Sequence, residues 1–394
     1  MSTTPTRRMT AFAIGLTAVA AVAACSAPTD KSSSSTTSGA SASSSAASSE
    51  TSAPAGGDAK TATSAEEAGG MDALVAAAKA EGELNVIALP PDWANYGEII
   101  TKFGEKYGIK VNSDQPDASS ADEITAAENL KGQSKAPDVF DLGAAVATAN
   151  TDKFAPYKVA TWADIPDSLK EANGTWVNDY GGYMSVGYDS DVVPAPTSVD
   201  DLLKGDYAGK VALNGDPTKA GAAFAGVQMV SLAKGGTAGD IAKGVDFFKE
   251  LKAAGNFLPV DPTPATIESG DTPVVFDWDY LNVAAGKNVP TWKVWVPDGV
   301  ALAGYYVQAI NKDAPHPAAA RLWQEFLYSD EGQNLWLKGG ARPVRLDAMM
   351  AAGTADKALA DALPKVTGTT TVPTADDVAK ATEYLTANWA KAVG

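Results

Sequence analysis

Leu84-Asn85-Val86-Ile87-Ala88-Leu89-Pro90-Pro91-Asp92-Trp93-Ala94-Asn95-Tyr96-Gly97 decides the fold. Leu84 to Leu89 is a short apolar run that reads as a strand. Pro90-Pro91 stops it, because proline cannot donate to a sheet ladder. Ile99, Ile100, Phe103 and Tyr107 then recur at helical spacing, and Gly108 supplies a C-terminal stop. Ile109 to Val111 is a second strand. A helix over about 121–131 leads to a third strand at Asp138 to Asp141. This β-α-β-α-β alternation predicts a parallel sheet with helices on its faces.

Outward from this unit, an Ala-rich helix is expected over Met71 to Glu81, ended by Gly82. Tyr183 to Tyr188 reads as an extended crossing segment. Ser198 with Asp201 three residues on is a capping box for a short helix. Lys210 to Leu213 is a strand, followed by a long helix from about Ala220. Ile241, Val245, Phe248 and Leu251 mark another helix closed by Gly255. Further strands are expected at Pro273–Phe276, Lys293–Val296 and Tyr305–Ile310, the last re-entering the first lobe. The remainder is helical, ending in a helix over about 375–392. The expected class is α/β, in two lobes, each a mixed sheet flanked by helices, with a ligand cleft between them.

The chain has 394 residues, 45% of them hydrophobic, enough to build the cores of two domains. Its net charge of −17 argues against nucleic acid and against docking on anionic lipid. A single cysteine, Cys25, forbids an intramolecular disulfide, and a single histidine, His316, leaves no His cluster for zinc or a His-based triad. No cofactor and no metal is expected, and no nucleophile is set up for catalysis.

Cys25 closes the run Val22-Ala23-Ala24-Cys25. Arg7 and Arg8 precede an apolar stretch from about Met9 to Ala24, too short for a stable span. This segment resembles a bacterial lipoprotein signal. The resemblance implies removal of residues 1–24 and acylation of Cys25, so that the chain is anchored by lipid to the outer face of the cell membrane. Residues 25–70 are rich in Ser, Thr and Ala and cannot bury enough surface to offset ordering entropy. They read as a disordered tether. Lobe 1 is expected to comprise 71–187 and 301–394, and lobe 2 to comprise 188–300.

In an open α/β sheet, ligands bind beyond the carboxyl ends of strands, where helix N-termini offer free N–H groups. Asp92, Trp93 and Tyr96 follow the first strand and could form an aromatic wall with a carboxylate, or a cap with core aromatics. Asp141 could be a ligand group or a cap for the next helix. Asn214 and Asp216 follow a strand of the second lobe; Asp216 before Pro217 reads more readily as a turn residue. Asp277-Trp278-Asp279-Tyr280 is the strongest candidate. Alternation along an extended segment would put Asp277 and Asp279 on one face and Trp278 and Tyr280 on the other. Carboxylates beside aromatics suit an ammonium group through charge pairing and cation–π contact. Tyr305 and Tyr306 should point to opposite faces, one into the cleft and one into packing. Tyr180 and Tyr183 are further candidates near the hinge.

Four stretches carry a resemblance to the solute-binding receptors of ATP-driven importers: Leu89–Gly97, Leu213–Pro217, Phe276–Tyr280, and Gly304–Ile310 with Ala314-Pro315-His316-Pro317 and Gly332-Gln333. The likeness spans about 84–341 and is close to the spermidine/putrescine-type and ferric-type branch. It implies the two-lobe type II periplasmic-binding-protein fold and a non-catalytic, monomeric receptor. Such a receptor closes on a small solute and delivers it to an ABC permease and its ATPase. The acidic and aromatic loops favour a polyamine or another cationic amine. Ferric ion held by tyrosines is the alternative cargo, and a surface carbohydrate-active enzyme using Asp277 and Asp279 is a more distant one.

Overall fold

The computed structural model describes residues 58–394. Residues 1–24, Cys25 and the first part of the expected tether lie outside them. The described chain opens with α1 (Met71–Glu81), β1 (Glu83–Ile87), α2 (Tyr96–Tyr107), β2 (Lys110–Asp114), α3 (Ser120–Asn129), β3 (Val139–Gly143), α4 (Ala144–Ala149) and β4 (Phe154–Ala155). The local signals hold. Gly82 and Gly108 end α1 and α2 in the left-handed conformation, and Ser119 with Asp122 boxes the start of α3. β1 and β2 pair in parallel, as the alternation predicts, but as a sheet of two: β3 pairs antiparallel with a later strand over 301–311 instead, and its lead-in touches β1 through Asp138 N–H donating to the Asn85 carbonyl at 2.9 Å.

The chain then crosses between lobes along β5 (Val177–Asp189), an unusually long strand. The second lobe holds β6 (Val211–Leu213), α5 (Gly221–Ala233), α6 (Ala242–Ala253), α7 (Pro264–Glu268), β7 (Val274–Trp278), α8 (Asp279–Asn288) and β8 (Trp292–Trp295). β9 (Ala301–Asn311) returns to the first lobe, antiparallel to β5 and to β3. There follow α9 (Pro317–Leu327), α10 (Asp330–Lys338), β10 (Arg342–Pro343), α11 (Leu346–Ala352), α12 (Lys357–Ala362), β11 (Thr370–Thr371) and α13 (Ala375–Val393). No helix among the described residues is long and apolar enough to cross a membrane.

β5 and β9 thus form the two-strand spine between lobes. Glycines let them approach each other. A Cβ on Gly181 would lie 2.2 Å from the Gly304 carbonyl oxygen, and one on Gly304 would lie 2.3 Å from the Trp278 ring.

Two expected boundaries move. The tether does not run to residue 70. Ala62, Ala65 and Ala68 are buried, and Arg321 Nε and Nη2 donate to the carbonyls of Ala62 and Lys60 at 2.7 and 2.9 Å. The folded body therefore begins by Asp58. Small side chains gave no apolar signal, yet they let a backbone segment lie flat against α9. Nor does 301–394 belong wholly to lobe 1. α13 packs on α6 of the second lobe, with Trp389 edge-on to Phe248 at 5.6 Å and Lys252 Nζ donating to the Val393 carbonyl at 2.9 Å. An amphipathic helix at a chain end has no local signal for which lobe it will cover.

Candidate functional site

The loop after β1 is bent hard. Ala88, Ala94 and Asn95 all sit at positive φ, 57°, 45° and 72°. Such strain costs free energy for residues with a Cβ and persists only where the surroundings fix it. Here Asn95 Nδ2 donates to the Leu335 carbonyl at 3.0 Å. The bend projects Trp93 and Tyr96 inward, while Asp92 stays exposed.

Strand register brings the next groups together. β3 against β9 sets Asp141 opposite Gln308 and Gly143 opposite Tyr306. β5 supplies Asp179 and Tyr180, and the start of α8 supplies Tyr280. Four rings from both lobes meet. Trp93 stands edge-on to Tyr280 and to Tyr306, at 6.0 and 5.9 Å. Tyr180 stacks on Tyr306 at 5.6 Å and on Trp336 at 4.3 Å. Trp93 Nε1 donates to the Tyr180 hydroxyl at 2.7 Å, and that hydroxyl faces Asp141 Oδ2 at 3.4 Å. Gln308 Nε2 lies 2.9 Å from Tyr96 Oη, 3.0 Å from Asp179 Oδ2 and 3.3 Å from Asp141 Oδ1, three candidate acceptors for its two hydrogens.

On the second lobe, Asp277 is buried at the end of β7. Asn214 Nδ2 donates to it at 2.8 Å, as does its neighbour's backbone N–H. Glu123, Asp141, Asp179 and Asp277 are all buried, and none has an ion-pair partner among the described residues. Burial pushes Asp141 and Asp277 up to about 7. It pushes Asp179 and Glu123 well above the carboxylate range, with the Asp141 charge adding to the effect. The Tyr96, Tyr180, Tyr280 and Tyr306 phenols are raised by burial and by the same nearby acids.

Several expected site residues do otherwise. The alternation expected over Asp277–Tyr280 breaks, because β7 ends at Trp278 and α8 begins at Asp279. Asp279 is therefore not a partner of Asp277. It forms an ion pair with Arg342 Nη1 and accepts from the Tyr183 backbone N–H at 3.0 Å. Its carboxyl is raised by burial and held back by Arg342. Trp278 packs against Gly304 of the spine. Tyr183 faces away from the four rings, its hydroxyl 2.9 Å from Thr370 Oγ1 and its ring under the Arg342 guanidinium at 4.8 Å. Tyr305 packs over Gly181, leaving Tyr306 as the tyrosine of the pair that enters the ring cluster. Asp216 is an exposed turn residue bonded to Thr218 N and Oγ1.

Sequence reasoning missed Glu123, Asp179, Gln308 and Trp336. Gln308 had a usable signal, since an amide inside the apolar run of β9 shares a strand face with Tyr306.

The chain matches the family model of bacterial extracellular solute-binding proteins over residues 134–372, and it belongs to that family. Three solved structures share its fold. A putative extracellular solute-binding protein from Bordetella parapertussis is 16% identical, with a TM-score of 0.62 over 80% of this chain and 100% of that one. Iron-bound HitA from Pseudomonas aeruginosa is 20% identical, with a TM-score of 0.58 over 79% and 99%. The spermidine/putrescine substrate-binding protein PotD from Streptococcus pneumoniae, in complex with calcium and HEPES, is 15% identical, with a TM-score of 0.57 over 79% and 99%. No curated protein matches the chain in sequence at a significant level. The two-lobe fold is thus the type II periplasmic-binding-protein fold, and the family places the protein outside the cytoplasm.

Proposed function

We propose that this protein captures a solute bearing a cationic amine between its lobes and delivers it to an importer's permease and ATPase. One observation carries the reading. Trp93, Tyr180, Tyr280 and Tyr306 converge from both lobes beside Asp141 and Asp277, and among the described residues neither acid has a cationic side chain to neutralise it. Aromatic faces and an unpaired carboxylate favour an ammonium group more than an anion or a neutral sugar. Tyr280 Oη is buried with no partner, one more acceptor for an N–H donor.

Iron capture is the weaker reading. It needs phenolates, and here every clustered phenol is pushed away from ionisation by burial and by neighbouring acids. Tyr305 and Tyr306 also diverge. In this reading Cys25 carries the lipid that holds the receptor, as a monomer, at the outer face of the membrane.

A thermal-shift series with putrescine, spermidine, amino acids and ferric salts tests the cargo. A ligand at 100 times its Kd should add about 2.7 kcal/mol of stability. Stabilisation by amines that is lost in Asp141→Asn and Asp277→Asn supports the reading. Stabilisation by ferric ion alone replaces it.

A further inference from the structure

Behind the ring cluster, Asp141 of the proposed solute site is joined by two acids that solute contact does not need, Glu123 and Asp179. Glu123 of α3, Asp141 of β3 and Asp179 of β5 come from three elements and are all buried. Gln308 of β9 bridges two of them. Its Nε2 has two hydrogens, yet three oxygens lie within 3.3 Å of it: Tyr96 Oη, Asp141 Oδ1 and Asp179 Oδ2. Glu123 Oε2 accepts from the Asp141 backbone N–H at 3.0 Å, whereas its Oε1 has no partner. Asp179 Oδ1 accepts only the adjacent Tyr180 N–H. Donors to Glu123 and Asp179 are too few for full ionisation, and among the described residues no lysine, arginine or histidine pairs with any of the three acids. The other titratable groups around the cluster are Asp277 of β7 and the phenols of Tyr96 of α2, Tyr180 of β5, Tyr306 of β9, Tyr280 of α8 and Tyr328, which follows α9 and donates to the Val177 carbonyl. None supplies positive charge.

We propose that Glu123 and Asp179, linked to Asp141 through Gln308 and the β3 backbone, are positioning residues that keep the empty site protonated, so that capture of a cation expels a proton. The arriving ammonium group replaces the missing positive charge beside Asp141. The Asp141 O–H bond then breaks, its electron pair stays on the carboxylate, and the proton leaves to solvent or buffer. Acid runs the step backwards and expels the cargo. The inference rests on the cationic-cargo reading and adds to it a proton count and a direction of pH control.

The test is isothermal titration calorimetry of the whole chain with putrescine and with spermidine, in buffers of different ionisation heat at one pH. Below about pH 7, where Asp141 is protonated in the empty site, the observed heat should change with buffer. The slope should approach one proton released by Asp141, plus that of Asp277 where it too meets an ammonium group, and vanish well above that pH. Heats independent of buffer throughout, with binding intact, overturn the proton linkage and leave the cargo reading standing. No heat with any amine overturns both. Asp179→Asn should keep amine affinity at alkaline pH, lower the proton count near pH 7 and move the acid loss of affinity to lower pH. Glu123→Gln should do the same and serves if the first variant does not fold. An unchanged count in a folded variant rules out the positioning role.

Discussion

Asp277 and Asp279 stand two residues apart at the junction of β7 and α8, both buried, and they meet opposite fates. Asp279 has Arg342 as a counter-ion and the Tyr183 N–H as a donor, and it ties the start of α8 to the inter-lobe spine. Asp277 has only the Asn214 amide and one backbone N–H, and no cation. The first is an internally neutralised pair that holds architecture. The second is a charge deficit that an incoming cation can fill. A carboxylate's charge balance, more than its burial, separates a structural acid from a ligand-seeking one.

The largest effect should come from breaking the neutralised pair. Arg342→Ala leaves Asp279 buried without a counter-ion and should cost about 3–5 kcal/mol in denaturant unfolding. Adding Asp279→Asn should recover part of that loss. If Arg342→Ala is neutral, the pair does not hold the hinge.

Asp277→Asn should behave in the opposite way. Without ligand its stability at neutral pH should match or exceed the parent's, because no buried charge remains to desolvate. Amine affinity should fall by about 1.5–3 kcal/mol, the range of a hydrogen bond to a charged group. Equal losses of stability in Asp277→Asn and Asp279→Asn would erase the contrast.

The pH dependence sharpens it further. Asp141 and Asp277 have folded values of about 7, above the ordinary aspartate value of about 4. The folded state therefore binds protons more tightly than the unfolded one. The stability they contribute is full at low pH and is lost as pH rises from about 4 to about 7. Unfolding of the parent should show this fall without amine, and the double variant Asp141→Asn, Asp277→Asn should flatten it.

Trp93→Ala should weaken amine binding by about 0.5–2 kcal/mol through lost cation–π contact. The smallest effect belongs to His316. Its Nδ1 lies 2.9 Å from Asp138 Oδ2, and that bond raises the imidazole above its ordinary value. Its contribution should be full below the unfolded value and lost as pH rises through the folded one. At a partly exposed site it should stay under about 1 kcal/mol, and His316→Asn should remove it.

What was legible follows from the range of each interaction. The Ser198–Asp201 box and the helix-ending glycines Gly82 and Gly108 depend on neighbours within four residues, and each forms as read. The Asp58–Gly70 segment was misread because Arg321, some 260 positions away in sequence, holds its carbonyls. Of the candidate site, Trp93, Tyr96, Asp141, Asn214, Asp277, Tyr280 and Tyr306 gather around the ring cluster and its acids. Asp92 and Asp216 stay exposed, and Trp278, Asp279, Tyr183 and Tyr305 pack elsewhere along the spine. Strand alternation could say that Tyr305 and Tyr306 diverge, yet only the Gly181 contact shows which one packs.

The sequence by itself determined the strands and helices of the first β-α-β-α-β stretch, the crossing strands and the loops where aromatic and acidic residues concentrate. These rest on periodicity, proline and glycine, which act locally. Only the tertiary structure decided which acid receives a cation and which is left without one. Arg342 approaches Asp279 from 63 residues away. No local pattern encodes that meeting, and the charge balance of a buried group is set by everything folded around it.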